Sequence, residues 1–302
     1  MTETQPTTIR LHNNDNVVVA RDEIAQGYNV ASEAVAANAM IPAGHKIATL
    51  AIAKDAPVRK YDQIIGFATA DIKPGDHVHT HNVVVKDFDR DYMFGADVTP
   101  VDYVPEHQRA TFQGIRRADG RIATRNYIGV LTSVNCSATA ARMIADAFRG
   151  DALADFPNVD GVVALTHDYG CGGCAGIGLN YIQRTISGYA KHPNFAANLL
   201  VGLGCEANQI GAMMEAEKLS ASDKLHAFTI QDTGGTEKTV ARGIGLIKEM
   251  LADANRVQRE TIPASELILG MECGGSDAYS GISANPGLGA AADLLVRHGG
   301  TA

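Results

Sequence analysis

The second part of the chain alternates apolar runs with amphipathic stretches. Five runs have the length and composition of buried strands: "NYIGVLTSV", "VDGVVALT", "NLLVGLG", "HAFTIQ" and "ELILGME". Four of them precede segments with helical periodicity: "SATAARMIADAFR", "GLNYIQRTISGYAKH", "ANQIGAMMEAEKL" and "TEKTVARGIGLIKEML". This alternation predicts a parallel sheet that is covered by helices on both faces. We therefore predict an α/β domain over residues 111–302.

The first part of the chain has a different pattern, with short apolar runs separated by polar turns. "TIRLH" and "NVVVA" flank the turn-like "NNDN", and the turns "PAG" and "PGD" each precede an apolar strand. The units "IPAGHKIA" and "KPGDHVHT" look related. We predict a small β-rich domain over residues 1–84. Residues 85–110 are charged, and Pro100 and Pro105 interrupt them, so we predict a connecting segment there.

Bulk composition narrows the class of protein. The 302 residues carry a net charge of -8, which argues against a nucleic-acid or membrane-surface binder. No apolar run approaches the ~20 residues of a membrane span. The start "MTETQPTTIRLH" lacks the apolar core of a signal peptide, so we expect a cytoplasmic protein. Five cysteines, an odd count, argue against a disulfide framework and favour buried, reactive or metal-binding thiols.

Polar residues follow the predicted strands of the α/β domain, at the edge where open parallel sheets bind ligands. All five cysteines lie in these turns: Cys136, Cys171, Cys174, Cys205 and Cys273. Their neighbours are Asn135, His167, Glu206, Asn208, Ser276 and Asp277. The helix N-termini that follow suit a carboxylate or a phosphate. We expect four of the thiols, all except Cys174, to converge on one rim, although inert packing explains any single cysteine equally well.

The "CGGC" of residues 171–174 leaves other interpretations open. It resembles a redox pair or half of a zinc site, but the chain has no second CxxC pair to complete a structural zinc site. Thiolates that converge from three or four loops also suit an iron–sulfur cluster with one open iron.

Three histidines alternate in the segment "HVHTH". On a strand, His77, His79 and His81 would share one face at intervals of ~6.6 Å. Neutral imidazole suits iron, manganese, zinc, nickel or copper, so we predict that the three are metal ligands. The alternative is a polar face that is turned to water.

Arginines precede the first strand of the α/β domain, in "GIRRADGRIATRNY". Arginine forks bind carboxylates through two parallel hydrogen bonds. A solvated hairpin explains Arg116 and Arg117 better than a binding role does. We predict that Arg125, together with Asn126, binds the substrate.

Several stretches together resemble the altronate/galactarate dehydratase family of sugar-acid dehydratases. They are "HVHTHN", "GRIATRNYIGVLTSVNCSAT", "GLGCEANQI" and "MECGGSDAYSGISANPGLGAAADLLV". The resemblance implies an N-terminal SAF-type β-clip domain followed by a larger α/β part. It also implies loss of water from an aldonate or aldarate, a divalent metal (usually iron or manganese), and a related branch that removes sulfite from sulfolactate.

Family members are longer than this chain, which stops at "VRHGGTA" where a sixth strand would start. The family's C-terminal region is therefore expected to be missing. A homo-oligomer, or a separate C-terminal portion, is the partner that we expect. A chain without that region is also compatible with a sugar-acid sensor that binds its ligand without turnover.

The implied reaction is a β-elimination, and it suggests a role for each candidate. His79 or His167 is the base or acid, and Arg125 with a metal stabilises the developing charge. The candidate catalytic residues are His79, His167, Arg125, Cys171, Cys205 and Cys273. The candidate substrate-binding residues are Arg125, Asn126, Asn135, Glu206, Asn208, Ser276 and Asp277. A thiol redox protein built on "CGGC" is the rival hypothesis.

Overall fold

The computed structural model describes residues 7–89, 93–96, 98–173, 176–275 and 279–302. The chain divides into two units, of which unit 1 comprises Met1–Pro105 and Ile268–Ala302 and unit 2 comprises Glu106–Leu267. Each unit has its own core.

Unit 1 is rich in short strands, as the polar and apolar pattern predicts. The strands are β1 (Thr8–Ile9), β2 (Val17–Ala20), β3 (Asn29–Val30), β4 (Val35–Ala36), β5 (Lys46–Ala48), β6 (Pro57–Lys60), β7 (Gln63–Ala68), β8 (His77–Val78) and β9 (Val83–Val84). They form antiparallel sheets in the orders β1-β2-β5-β8, β6-β7-β9 and β3-β4. The central strand β2 is buried along its whole length because an apolar cluster lies on each side of it, one around Val18 and one around Val17.

Unit 2 contains the predicted parallel sheet. Its elements are β10 (Thr111–Arg116), β11 (Ile122–Ala123), β12 (Tyr127–Thr132), α1 (Ala138–Asp146), β13 (Gly161–Leu165), α2 (Ile177–Ala190), β14 (Phe195–Gly202), α3 (Ile210–Ala216), β15 (Leu225–Thr229), α4 (Ile230–Thr233), α5 (Thr236–Ala254) and β16 (Glu260–Pro263). The parallel strands follow the order β13-β12-β14-β15. β10 pairs separately with β11 and β16 in an antiparallel sheet.

Helices cover both faces of the parallel sheet, which confirms the α/β prediction. Val130 faces a core that α1 and α5 complete, whereas the next residue, Leu131, faces a core that includes Ile186 of α2 and Met213 of α3. The chain reverses its direction of travel through the sheet between β12 and β14. Loops diverge at such a switch point and leave a crevice at the carboxyl ends of the two strands.

The prediction that "ELILGME" forms a fifth parallel strand is wrong. Residues 266–272 form no ladder with the parallel sheet: Ile268 makes an isolated bridge to Thr301, and the Leu269 N–H donates to the carbonyl of Thr301 at 2.8 Å. Ile268 is 82% exposed, so the apolar run is not a buried strand here. A short apolar run by itself does not distinguish a strand from an irregular segment.

Residues 268–302 group with the N-terminal residues, whereas the sequence pattern assigned them to the α/β domain. They include a π-helical turn (Ser280–Ala284) and α6 (Asn285–Arg297). The Tyr279 hydroxyl donates to the carbonyl of Arg21 at 2.8 Å, and the Val104 N–H donates to the carbonyl of Arg297 at 2.8 Å. These long-range contacts have no local signature in the sequence. None of the helices in the described ranges has the length and apolar character needed to cross a bilayer.

Candidate functional site

Three cysteines come together at the carboxyl edge of the parallel sheet. Cys136 follows β12, Cys171 follows β13 and Cys205 follows β14, and all three are exposed. The Sγ atoms of Cys136 and Cys171 are 3.6 Å apart, and Cys205 is close enough to act on Cys136 electrostatically. We call these three residues the thiol rim.

Backbone hydrogen bonds hold the loops of the thiol rim against one another. The Asn135 N–H donates to the carbonyl of Tyr169 at 2.8 Å, and the Ala207 N–H donates to the carbonyl of Cys171 at 2.8 Å. The pKa of the Cys136 thiol is raised, first by its hydrogen bond with Cys171, then by burial and by the nearby thiols. Cys136 therefore keeps its proton at neutral pH.

Glu206 lies at the switch point and is only 2% exposed. Its Oε1 accepts hydrogen bonds from the Ser133 hydroxyl at 2.6 Å and from the Leu203 N–H at 3.0 Å, and its Oε2 accepts from the Gly204 N–H at 2.6 Å. Burial acts to raise the pKa of Glu206, but the hydrogen bonds from Ser133 and from backbone N–H groups outweigh it and lower the pKa. The carboxylate thus joins the loops after β12 and β14.

Asn208 is also buried and is engaged with the protein. Its Nδ2 donates to the carbonyl of Ser133 at 3.1 Å, and its Oδ1 accepts from Gln183 at 3.1 Å. The cavity that Glu206 and Asn208 help to line has a volume of about 10 Å³, room for about one water molecule. Asn135, by contrast, is exposed beside Cys136.

Both ring nitrogens of His167 contact the backbone. Nδ1 accepts from the Tyr169 N–H at 3.3 Å, and Nε2 lies 3.2 Å from the carbonyl of Thr132. This pattern requires the neutral tautomer with the proton on Nε2. In this arrangement the imidazole orders the loop after β13, and backbone groups occupy both of its nitrogens.

Arg125 and Asn126 lie at the other end of β12 from Cys136. The six residues of the strand separate them from the thiol rim by about 20 Å. Asn126 is fully buried, and its Nδ2 donates to the carbonyls of Asn158 and Ala254, both at 2.8 Å. Nη1 of Arg125 lies 4.0 Å from Oδ1 of Asp160. Unit 2 does not bring this predicted substrate-binding pair together with the thiols.

The histidine segment is not one continuous strand. Strand β8 ends at Val78, because Asn82 organises a turn: its Oδ1 accepts from the His79 N–H at 3.0 Å and its Nδ2 donates to the carbonyl of His77 at 2.9 Å. The imidazoles nevertheless stay together. The ring centroid of His77 lies 5.8 Å from that of His79 and 5.1 Å from that of His81.

A fourth imidazole, His45, completes this group, which we call the histidine cluster (His45, His77, His79 and His81). β5 pairs with β8, and the His45 ring stacks on His79 with centroids 4.4 Å apart. His45 Nδ1 lies 2.9 Å from His77 Nε2. Sequence reasoning missed His45, although the signal was present: the related units "IPAGHKIA" and "KPGDHVHT" place His45 and His77 after equivalent turns.

The environment keeps two imidazoles of the cluster neutral. Burial lowers the pKa of His45 and of His77 below the usual 6.5, and the neighbouring imidazoles and Lys46 lower it further. Burial also lowers the pKa of Lys46, which with His79 and Val83 lines a cavity of about 200 Å³. In the described ranges, no three His, Cys, Asp or Glu side chains form a ready-made metal site. The metal prediction for His77, His79 and His81 therefore stays a prediction.

Cys273 belongs to unit 1. Its Sγ donates to the carbonyl of Gly275 at 3.5 Å and accepts from Asn285 Nδ2 at 3.4 Å. Ser276 and Asp277, predicted to bind substrate, lie outside the described residues, as does Cys174.

Sequence comparison identifies the family. A profile for the altronate/galactarate dehydratase SAF domain matches residues 6–86, and one for the second domain of D-galactarate dehydratase/altronate hydrolase matches residues 114–255. A third, for the C-terminal domain of D-galactarate/altronate dehydratase, matches residues 264–302. The chain belongs to the altronate/galactarate dehydratase family.

Individual relatives of this family agree over most of the chain. Altronate dehydratase of Escherichia coli is 35% identical over 97% of the chain. Galactarate dehydratase (L-threo-forming) of the same organism is 34% identical over 97% of the chain. The (2R)-sulfolactate sulfo-lyase subunit beta of Chromohalobacter salexigens is 32% identical over 63% of the chain. The chain spans 58% of the length of either Escherichia coli dehydratase.

Proposed function

We propose that the chain carries out, or forms part of, a dehydratase that removes water from an altronate- or galactarate-type sugar acid to give a 2-keto-3-deoxy acid. The observation that carries the proposal is the 35% identity to a protein named altronate dehydratase over 97% of this chain. The histidine cluster supports it, because it provides the acid–base groups that the reaction requires.

The reaction needs three things from the protein. A base removes the C2 proton next to the carboxylate, and the electron pair moves into the carboxylate to form an enediolate. The pair then returns to form the C2–C3 double bond while the 3-hydroxyl takes a proton and leaves as water. The resulting enol becomes the 2-keto acid. Charge develops on the carboxylate, so a cation placed there lowers the barrier most.

His79 is the base in this proposal, ahead of His167. Nδ1 of His79 lies 3.0 Å from the Thr80 hydroxyl, which orients the ring, and the imidazole lines the 200 Å³ cavity. Lys46 lines the same cavity and is the cation that we assign to the substrate carboxylate. His167 is less suited because backbone groups occupy both of its nitrogens.

The histidine cluster has the donor chemistry for a transition metal. His45 Nδ1 and His77 Nε2 are 2.9 Å apart, which is near the roughly 3 Å between two nitrogens bound to one ion at ~2.1 Å. We propose that His45 and His77 would hold the ion, and that His81, whose ring centroid lies 5.1 Å from that of His77, would turn toward it to complete the set. His79 would then remain free. Imidazole ligands favour Fe(II) over Mn(II). When bound, the ion would supply a Lewis acid for the developing negative charge.

The thiol rim remains the second candidate centre. Cys171 and Cys205 stand at the edge where parallel sheets bind ligands, and the Cys136–Cys171 distance of 3.6 Å brings two soft donors together. An iron–sulfur cluster held there is the alternative cofactor. Anaerobic purification with an absorbance band near ~400 nm would favour the cluster over a single ion held by imidazoles.

The test is keto-acid formation from stereoisomeric aldonates and aldarates with Fe(II), Mn(II) or Mg(II). In the Fe(II)-loaded protein we expect His79→Gln to lower kcat by about 10²–10⁴-fold. Lys46→Met should mainly raise KM. The exposed His107→Gln is the matched control, and its activity should equal that of the wild type.

Other outcomes separate the rivals. Sugar-acid binding without keto-acid formation under every metal condition would favour the sensor. Sulfite release from sulfolactate, with no dehydration of sugar acids, would favour the sulfo-lyase branch. Full activity of His79→Gln would remove the histidine cluster from the acid–base role, and Cys171→Ser and Cys205→Ser would then test the thiol rim.

A further inference from the structure

We propose that Cys136 and Cys171 form a reversible disulfide when the protein meets a hydroperoxide, so that the thiol rim is an oxidation site. The inference concerns the carboxyl edge of unit 2 and does not depend on which cluster performs the proposed dehydration. The sequence motif "CGGC" suggested a different pair, Cys171 with Cys174.

Geometry selects Cys136 as the partner of Cys171. The two Sγ atoms are 3.6 Å apart, and a disulfide bond is ~2.05 Å long, so the sulfurs need to approach by roughly 1.5 Å. Rotation about the two Cα–Cβ bonds is the motion that brings them together. The residues are 35 apart in sequence but follow adjacent strands, β12 and β13.

Accessibility allows the oxidant to reach the sulfurs. Both cysteines are exposed, so a peroxide molecule does not have to enter the core. The loops themselves are held by the Asn135–Tyr169 and Ala207–Cys171 backbone hydrogen bonds, both 2.8 Å long. The sulfurs are therefore kept near each other in the reduced protein, which favours closure of the bond over further oxidation of one thiol.

The chemistry balances with hydrogen peroxide as the oxidant. The Cys171 thiolate attacks one peroxide oxygen, an S–O bond forms, the O–O bond breaks, and the departing hydroxide takes a proton to become water. Cys136 then attacks the sulfenic sulfur, the S–S bond forms, and the second oxygen leaves as water. Two thiols are oxidised and one peroxide is reduced. Cys136 gives up its thiol proton in this second step, and the proton leaves with the oxygen as water.

Peptide mapping tests the proposal directly. The reduced chain is treated with a small molar excess of hydrogen peroxide, alkylated, digested without reductant and analysed by mass spectrometry. We expect a Cys136–Cys171 linked peptide and a loss of two free thiols from the five in the sequence, both reversed by dithiothreitol. Cys136→Ser should abolish the link, whereas Cys205→Ser and Cys174→Ser should retain it.

Three results would overturn the proposal: a Cys171–Cys174 link, a sulfinic acid on Cys171 without any link, or release of thiol-bound iron in place of the link. Circular dichroism of Cys136→Ser checks that loss of the link does not come from unfolding. None of these readouts uses dehydratase activity, so they stand whether or not the proposed function holds.

Discussion

Glu206 lies at the carboxyl edge of the parallel sheet, and a substitution there tests whether this buried carboxylate stabilises the loops or binds the substrate. The sequence placed it among substrate-binding residues, but in the structure it is 2% exposed and accepts three hydrogen bonds. The perturbation is Glu206→Gln, which keeps the shape and removes the charge. We expect a loss of stability, because the amide nitrogen would face the Gly204 N–H, which now donates to Oε2 at 2.6 Å.

The size of the expected loss of stability follows from the hydrogen bonds that Glu206 accepts. One donor pairs with another donor, which costs about 1–3 kcal/mol for the unsatisfied group, and the other two hydrogen bonds lose their charged acceptor. The lower cost of burying a neutral amide offsets part of this. We expect the free energy of unfolding to fall by about 2–4 kcal/mol. For a domain of 150–250 residues this lowers Tm by roughly 5–15 °C.

Thermal and denaturant unfolding measure this loss. The matched control is Glu215→Gln at an exposed position, whose free energy of unfolding should lie within roughly 0.5 kcal/mol of the wild-type value. Gly202→Ala is a second probe, because its Cβ would lie 2.5 Å from Glu206 Oε1 and 2.9 Å from Ser133 Oγ. It should destabilise by about 1–3 kcal/mol through overpacking. If Glu206→Gln keeps the wild-type Tm while the turnover falls about 100-fold or more, Glu206 acts on the substrate and its role is not structural.

Two further predictions concern the other candidate residues. Asn126→Ala should lower the free energy of unfolding by about 1–3 kcal/mol, because the carbonyls of Asn158 and Ala254 lose their donor. We expect KM to stay unchanged, and a raised KM at unchanged Tm would instead support the predicted binding role of Asn126. The metal-free protein should lose stability as the pH falls below about 6.5, because His45 and His77 have lowered pKa values and the unfolded chain then binds more protons than the folded one. Thermal melts between pH 7.5 and 5 test this, and a flat Tm, or an equal slope in His77→Gln, would contradict it.

Local periodicity along the chain is enough to predict the strands and helices of unit 2 and the sheet edge at which the cysteines lie. Apolar strands alternating with amphipathic helices predicted the parallel sheet, because burial on both faces removes the alternation from the strands. The position of Cys136, Cys171 and Cys205 directly after three such strands predicted their meeting, since parallel strands end on the same side. These signals are local and periodic, so they can be read without coordinates.

The neighbours of each residue, by contrast, depend on how the strands and loops assemble in three dimensions. The strand order β13-β12-β14-β15 places Ser133 beside Glu206, so that this carboxylate joins the loops after β12 and β14. Pairing of β5 with β8 brings His45 to the histidine cluster, and the Asn82 turn ends the strand that the alternation of histidines predicted. Residues 268–302 group with the N-terminal residues, and the hydrogen bond from the Tyr279 hydroxyl to the carbonyl of Arg21 is one of the contacts that join them. Strand pairing and long-range contacts depend on partners distant in sequence, so the pattern of one segment does not show which other segment it meets.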